Sequence, residues 1–232
     1  MNKTNDKNIN KFPVSIIKAI LLLSCLIIGT NVDAETGDIK DKLNKLSLEF
    51  EKQRVALHIP GMALAIVRDG KVIFAKGFGV ADLERQIPVT PKTIFAIGSS
   101  SKAFTATIIG MLVDQKKMQW DDPAVKYLPF YQFTNNGKKL DLTIRDMLSH
   151  RSGYARNDVL WLNGKVSAEE ILKDATQAEP WAPFRQQFHY NNVMYLAAGI
   201  ASAKQQDSSW NVLLENMILK PLGMENTTAD YG

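Results

Sequence analysis

Apolar residues recur every three to four positions near the start of the chain. Over residues 39–57, the sequence IKDKLNKLSLEFEKQRVAL keeps this spacing, which is typical of a helix with one apolar face. Pro60 and Gly61 follow the run, and a Pro-Gly pair interrupts helices. The pattern therefore predicts an amphipathic helix that ends before Pro60.

Two short apolar runs come next, one on each side of Asp69 and Gly70. An Asp-Gly pair favours a two-residue turn whose backbone twist matches that of the strands it joins. We therefore expect residues 62–68 and 72–79 to pair as the antiparallel strands of a β-hairpin.

A long apolar run covers residues 99–117. Its apolar positions fall on nearly every side of a helix, and a helix of this kind is normally buried all round. We expect it to lie in the middle of the protein. Three serines and a lysine open the run, and this polar start contrasts with the apolar residues that follow.

Helix signals dominate the rest of the chain. They are an aspartate cap before proline at residues 122–123, a short helix stopped by Gly153, a capping box of Ser167 and Glu170, and helical patterns over residues 193–205 and 209–219. Together with the hairpin, these elements indicate an α+β domain with an antiparallel sheet flanked by helices and a mostly helical section. We assign residues 35–232 to this one domain.

Residues 1–34 have the features of an export signal. Lysines are followed by a short apolar stretch and then by the small residue Ala34, the order found in secretory signal peptides. We predict cleavage after Ala34 and a protein that is periplasmic or secreted. Cys25 leaves a lipoprotein as an alternative, and it is the chain's one cysteine, so the mature chain would have no disulfide.

The charge of the chain argues against a nucleic-acid partner. The net charge is +4, and residues 1–34 supply +2 of it through four lysines against two aspartates; the remaining +2 is too small for a basic binding surface. His58, His150 and His189 lack the spacing of metal ligands. We therefore expect no metal, no cofactor and no membrane contact beyond the export signal. His150 is expected to help end a helix, and His189 to point away from its neighbour Tyr190.

The polar start of the long helix is a candidate nucleophile site. Lys102 is three positions after Ser99, so both lie on one face of a helix whose N-terminus favours negative charge. A nearby lysine can activate a hydroxyl for attack. The alternative is structural: the serines cap the helix and the lysine extends into solvent. Spacing alone does not decide, since Ser15 and Lys18 in the export signal match it as well.

A second pair of residues favours the catalytic interpretation. Tyr190 and Asn192 are two positions apart, and on an extended segment their side chains project to the same side. A phenol near a lysine ammonium favours its ionised form and can then act as a base towards Ser99. The amide of Asn192 can both donate to and accept from a substrate amide. The structural alternative is a buried tyrosine followed by an asparagine that caps a helix.

Five segments of the chain are informative as a set: PGMALAIVRDGKVIFAKGFG, IFAIGSSSKAFTATIIGMLVDQ, LTIRDMLSHRSGY, FHYNN and ILKPLGMENTT. They resemble the serine β-lactamase-like family, in particular the branch with class C β-lactamases, D-alanyl-D-alanine carboxypeptidases and related esterases. They occur in the family's order and rough spacing, from about Ile39 to the last residues. The resemblance implies a β-lactamase/transpeptidase-like fold.

The resemblance also implies a role for each candidate residue. Ser99 would be the acylated nucleophile, Lys102 its proton-handling neighbour, Tyr190 the second base and Asn192 a substrate-binding residue. How the proton is shared between Lys102 and Tyr190 stays open. The implied partner is a small molecule or a peptidoglycan-derived substrate: a β-lactam, a D-alanyl peptide, or a small ester or amide.

The chain departs from the family pattern after Asn192. Family members carry a third motif, Lys-Thr-Gly or His-x-Gly, on a strand beside the nucleophile, and neither form occurs in the 40 residues after Asn192. We therefore expect a truncated chain that lacks the C-terminal strands. Loss of one oxyanion donor costs about 10²- to 10³-fold in rate. The alternative function is a non-catalytic remnant or binding protein of the same fold.

Overall fold

The computed structural model describes residues 37–135, 137–156, 158 and 166–230. The predicted export signal, with Cys25, lies outside the described residues. The chain forms two compact units, one ending at Thr93 and the other beginning at Ile94. The assignment of residues 35–232 to one domain stays a prediction.

The first unit contains a helix and a small antiparallel sheet. Helix α1 is described over residues 37–56, and the strands are β1 (Gly61–Arg68), β2 (Lys71–Asp82) and β3 (Ile87–Pro88), in the order β1-β2-β3. The helix before Pro60 and the hairpin are as the sequence predicts. Asp69 and Gly70 both have positive φ angles, 52° and 71°, as a two-residue hairpin turn requires.

The third strand was missed at the sequence level. Strand β3 is two residues long and pairs with β2 through Val80 and Pro88. A segment this short carries no alternation of apolar and polar residues, which is the signal from which strands are predicted.

Helix α1 ends at a histidine in the left-handed conformation. His58 has φ 53°; its N–H donates to the Val55 carbonyl, and the N–H of Ile59 donates to the Arg54 carbonyl. This pair of bonds is the Schellman arrangement, which satisfies the last carbonyls of a helix. The His58 side chain is exposed.

The second unit is mostly helical. Its helices are α2 (Ser101–Asp114), α3 (Ile144–Leu148), α4 (Ala168–Ala175), α5 (Asn192–Gln205) and α6 (Trp210–Leu214), which continues as a π-helix over Glu215–Leu219. Turns of 3₁₀-helix cover Gly98–Ser100 and Ala124–Lys126, and strands β4 (Thr134–Asn135) and β5 (Lys138–Lys139) form a small hairpin. None of the helices in the described ranges has the length and apolar character needed to cross a membrane.

Helix α5 is the centre of this unit. Helices α2, α3, α4 and α6 all pack against it, and its buried face carries small residues such as Ala197, Ala198 and Ala201, which allow neighbouring helices to approach closely. The largest fully buried side chains of the described chain all lie in this unit: Tyr131, Phe133, Ile108, Ile109, Leu112, Met118, Leu128, Ile144, Met147, Leu172, Met194 and Val193.

Helix α2 is shorter and less buried than the sequence predicts. A 3₁₀ turn precedes it, it ends at Asp114 rather than residue 117, and both Ala103 and Thr107 are exposed. Lys116 has φ 60°, which does not fit a continuing helix. The buried side therefore consists of Thr105, Ile108, Ile109 and Leu112.

Two helix boundaries also differ from the prediction. The segment after Asp122 forms one 3₁₀ turn, because Pro129 follows and restricts the residue before it to non-helical conformations. Helix α3 ends at Leu148, not at Gly153. Gly153 instead fits a close approach: it has φ 80°, and a Cβ there would lie 2.5 Å from the Ala182 carbonyl oxygen.

Candidate active site

Ser99 and Lys102 lie together where helix α2 begins. Ser99 is in the 3₁₀ turn and Lys102 in the first turn of the helix, and Lys102 Nζ donates to Ser99 Oγ over 3.2 Å. Ser100 stands at the N-cap, but its side chain makes no capping hydrogen bond. The geometry therefore does not support the alternative in which the serines cap the helix and Lys102 extends into solvent.

Tyr190 reaches the same hydroxyl from the segment before helix α5. Its phenol oxygen lies 2.5 Å from Ser99 Oγ, and Lys102 Nζ lies 4.7 Å from the centroid of its ring. The proximity of Lys102, followed by the hydrogen bond to Ser99, lowers the pKa of the Tyr190 phenol below its usual range. The three predicted residues thus meet in one cluster within the second unit, and their catalytic roles stay predictions.

Asn192 completes the predicted set. It is the first residue of helix α5; its Oδ1 accepts from Lys102 Nζ over 2.6 Å, and its Nδ2 donates to Asp158 Oδ1 over 3.0 Å. The side chain therefore contacts Lys102, the same ammonium that donates to Ser99. Asn192 lies in the helix rather than on the extended segment from which the spacing argument predicted its direction.

The residue between Tyr190 and Asn192 anchors the segment. Asn191 is 1% exposed; its Oδ1 accepts from the Met194 N–H as the cap of helix α5, and its Nδ2 donates to the carbonyls of Ala155 and Tyr154. Asn191, and not Asn192, is thus the helix cap. Because the cap is buried and fully bonded, it fixes the direction in which Tyr190 and Asn192 project.

Three residues of this cluster were not assigned to the site from the sequence. Asp158 accepts a hydrogen bond from Asn192 and forms an ion pair with Arg156. Arg156 Cζ lies 5.3 Å from the centroid of the Tyr190 ring. The centroid of the His150 ring lies 4.6 Å from that of Tyr190. They lie more than 30 positions upstream, and no spacing rule links them to Tyr190. His150 does end helix α3, as predicted. His189 stacks on Trp181, with ring centroids 4.1 Å apart.

An apolar cavity opens beside Asn192. Its volume is about 370 Å³, and it is lined by Val166, Ala168, Ile171, Asn192 and Leu196. A largely apolar pocket with one polar group that can orient a ligand is the usual form of a small-molecule site.

The cluster has the parts of an activated nucleophile. A hydroxyl lies within hydrogen-bond reach of a lysine and of a phenol whose pKa is lowered, which is the arrangement that nucleophilic catalysis by serine requires. In the described part of the chain, no group of three or more histidine, cysteine, aspartate or glutamate side chains is gathered as metal ligands would be.

Comparison with known proteins gives the family. The family model described as Beta-lactamase matches residues 49–231. The unguisins hydrolase of Aspergillus campestris is 32% identical over an alignment of 204 residues, which covers 84% of this chain and 38% of that protein. The chain therefore spans well under half the length of this curated relative.

Solved structures agree with the family model. The octameric penicillin-binding protein homologue from Pyrococcus abyssi has a TM-score of 0.71 and 31% identity, over 79% of this chain and 43% of that one. A D-amino acid amidase from Ochrobactrum anthropi, solved with L-phenylalanine, has a TM-score of 0.62 and 26% identity, over 75% of this chain and 48% of that one.

The fold is thus β-lactamase/transpeptidase-like, with small antiparallel sheets and several helices. The chain belongs to the β-lactamase family. The resemblance of the sequence segments to this family is thus confirmed.

Proposed function

We propose that the chain is the nucleophile-bearing part of an exported serine hydrolase that acts through an acyl-enzyme on Ser99. The observation that carries this proposal is the position of Ser99 Oγ, which lies 3.2 Å from Lys102 Nζ and 2.5 Å from the Tyr190 phenol oxygen. A hydroxyl with two proton-handling groups in reach can lose its proton as it attacks.

The chemical steps follow from this placement. Ser99 Oγ forms a bond to the substrate carbonyl carbon, and its proton passes to the Lys102–Tyr190 pair. The bond to the leaving nitrogen or oxygen then breaks, and the same pair returns the proton to that atom. Water subsequently attacks the ester on Ser99, which releases the acid and restores the hydroxyl.

The polar side chains near Ser99, which are Lys102, Tyr190 and Asn192, favour an amide or ester substrate. Asn192 Oδ1 accepts one bond from Lys102 and has a second lone pair with which to accept from a substrate amide. The apolar cavity beside it can hold an apolar acyl group. One structural relative is an amidase and another a penicillin-binding homologue. The proposed substrates are therefore a β-lactam, a D-alanyl peptide of peptidoglycan, or a small ester or amide.

Labelling by a penicillin tests the proposal. The full chain is incubated with a fluorescent penicillin, and the adduct is located by mass spectrometry of peptides. We expect one adduct on Ser99 and none in a Ser99→Ala variant. A folded chain that takes up no label, under conditions in which a known family member does, would instead support a non-catalytic binding protein.

A further inference from the structure

Both residues that flank Tyr190 hydrogen-bond to a single residue, His150. The N–H of His189 donates to the His150 carbonyl over 2.7 Å, and the N–H of Asn191 donates to His150 Nδ1 over 3.1 Å. One bond uses the main chain of His150 and the other its side chain. Together they fix the backbone of Tyr190 relative to His150 on both sides.

The imidazole also packs on the tyrosine ring itself. The His150 ring centroid lies 4.6 Å from that of Tyr190 and 5.1 Å from that of Tyr195, with interplanar angles of 37° and 38°. The Phe188 ring is nearly perpendicular to it, at 83°, with the two ring centroids 5.4 Å apart. His150 is 7% exposed, so its ring occupies a closed space between three aromatic rings and limits how the Tyr190 ring can turn.

His150 is itself held rigidly by the end of helix α3. It has φ 57°; its N–H donates to the Met147 carbonyl, and the N–H of Arg151 donates to the Asp146 carbonyl, which is a second Schellman arrangement. Helix α3 starts with a capping box of Thr143 and Asp146. The position of the imidazole is therefore set by an element that is anchored at both ends.

We propose that His150 is a positioning residue that holds the Tyr190 phenol against Ser99, an inference that rests on the proposed role of Tyr190. His150 acts through Tyr190 rather than on the substrate, because its Nδ1 is occupied by the Asn191 N–H and its ring is enclosed.

The positive charges near the packed rings of His150, Tyr190 and Tyr195 favour a neutral imidazole at His150. Lys102 faces the stack from helix α2, Arg156 faces Tyr190 from the loop after helix α3, and the Tyr195 phenol donates to the Leu148 carbonyl from helix α5. A protonated His150 would add a third positive charge and could no longer accept from Asn191. Burial, followed by the charge of Lys102, lowers the pKa of His150, which favours the accepting form.

The chain offers a matched control in His58. Both histidines follow a helix, both have a left-handed backbone, and both close a Schellman arrangement. His58 is exposed and lies in the first unit, whereas His150 packs on Tyr190. The same substitution therefore changes the end of a helix at either position, but only at His150 does it also remove a contact with Tyr190.

The test uses two substitutions of His150, which distinguish the contribution of its aromatic ring from that of its Nδ1 acceptor. His150→Phe keeps an aromatic ring and removes Nδ1. His150→Asn keeps an acceptor near the Nδ1 position and tolerates the left-handed backbone, so it keeps the test available if the phenylalanine variant fails to fold. His58→Phe and His58→Asn are the controls. Full-length protein with ¹³C-labelled tyrosine is titrated and followed by NMR, and the Tyr190 signal is assigned as the one that is missing in Tyr190→Phe. Labelling by fluorescent penicillin gives the acylation rate of Ser99.

We expect Tyr190 to titrate at higher pH in His150→Phe, by about half a pH unit or more towards the ordinary phenol value near 10. Acylation of Ser99 should fall by about tenfold to a hundredfold, since small displacements of a reacting group cost that much. His150→Asn should lie between His150→Phe and the wild type, and the His58 variants should match the wild type in both measurements.

Two outcomes separate this inference from the proposed function. If folded His150 variants leave the Tyr190 titration as it is in the wild type, His150 does not position the phenol and the inference fails. If the wild type takes up no penicillin but the Tyr190 titration responds to His150 and not to His58, the positioning stands and the proposed function fails.

Discussion

The amide of Asn192 is held from two sides by groups of opposite charge. The ammonium of Lys102 donates to Oδ1, and the carboxylate of Asp158 accepts from Nδ2. A flipped amide would place its NH₂ group against the ammonium and its oxygen against the carboxylate, so only one orientation satisfies both neighbours. Asp158 therefore helps determine which atom of Asn192 faces Lys102.

Asp158→Ala should slow acylation without unfolding the chain. Asp158 lies near the surface and pairs with Arg156, so its loss removes one hydrogen bond to Asn192 and frees its amide to rotate. One such bond contributes about 0.5–1.5 kcal/mol, so the acylation rate measured with fluorescent penicillin should fall by about two- to tenfold. Asp174→Ala, an exposed aspartate of helix α4, is the control and should leave the rate unchanged. An Asp158→Ala rate equal to the control's would contradict this role.

Spacing along the chain made each of the two pairs a candidate, and the resemblance to the family indicated that the pairs belong to one site. Ser99 and Lys102 are one helical turn apart, and Tyr190 and Asn192 flank the start of a helix. Asp158 and His150 could not be predicted, because their contacts with these residues depend on how helices α3 and α5 pack. Periodicity shows which face of a helix is apolar but not which distant loop that face meets.

Helix α3 connects the fold to the site through a buried carboxylate. Asp146 is 0% exposed; it accepts from the Thr143 N–H and hydroxyl, and it pairs with Arg151 and Arg185. Arg185 belongs to the segment that leads to Tyr190. The element that positions His150 is thus tied by the same carboxylate to the loop that carries the phenol.

Asp146→Asn should destabilise the protein in a pH-dependent way. Removing the charge weakens the bonds from two arginines whose own side chains are 40% and 43% exposed. We therefore expect the free energy of unfolding to fall by about 1.5–3 kcal/mol, the range for hydrogen bonds to a charged group. Burial alone would raise the pKa of Asp146, but the bonds from Arg185, Thr143 and Arg151 lower it overall. The stabilisation is therefore complete above about pH 4, the unfolded value, and it is lost as the pH falls through the lower folded value.

Urea unfolding at neutral and acid pH measures this effect. The wild type and Asp146→Asn should differ most at pH 7 and converge in acid. Asp121→Asn is the matched control, because Asp121 also pairs with an arginine but lies on the surface, where such a pair contributes little. If the two variants are equally stable at pH 7, Asp146 does not anchor helix α3.

At the scale of the whole molecule, the order of helices and strands could be predicted from the sequence better than their division into two compact units. The hairpin and helices α1, α4, α5 and α6 each carry a local signal, such as the Asp-Gly turn or the capping box of Ser167 and Glu170. The division at Thr93 and Ile94 carries none, because no change of composition marks it. Boundaries between compact units depend on contacts that are distant along the chain.

Export of the whole protein is the prediction that belongs to this scale. Signal peptidases require a small residue before the cut, which Ala34 supplies. The protein recovered from the exported fraction of a bacterial culture should therefore begin at Glu35, as measured by N-terminal sequencing and intact mass. Ala34→Phe should keep the leader attached, whereas Cys25→Ser should change nothing. If Cys25→Ser abolishes processing and releases the chain from membranes, the protein is a lipoprotein, and the cleavage site lies before Cys25 rather than after Ala34.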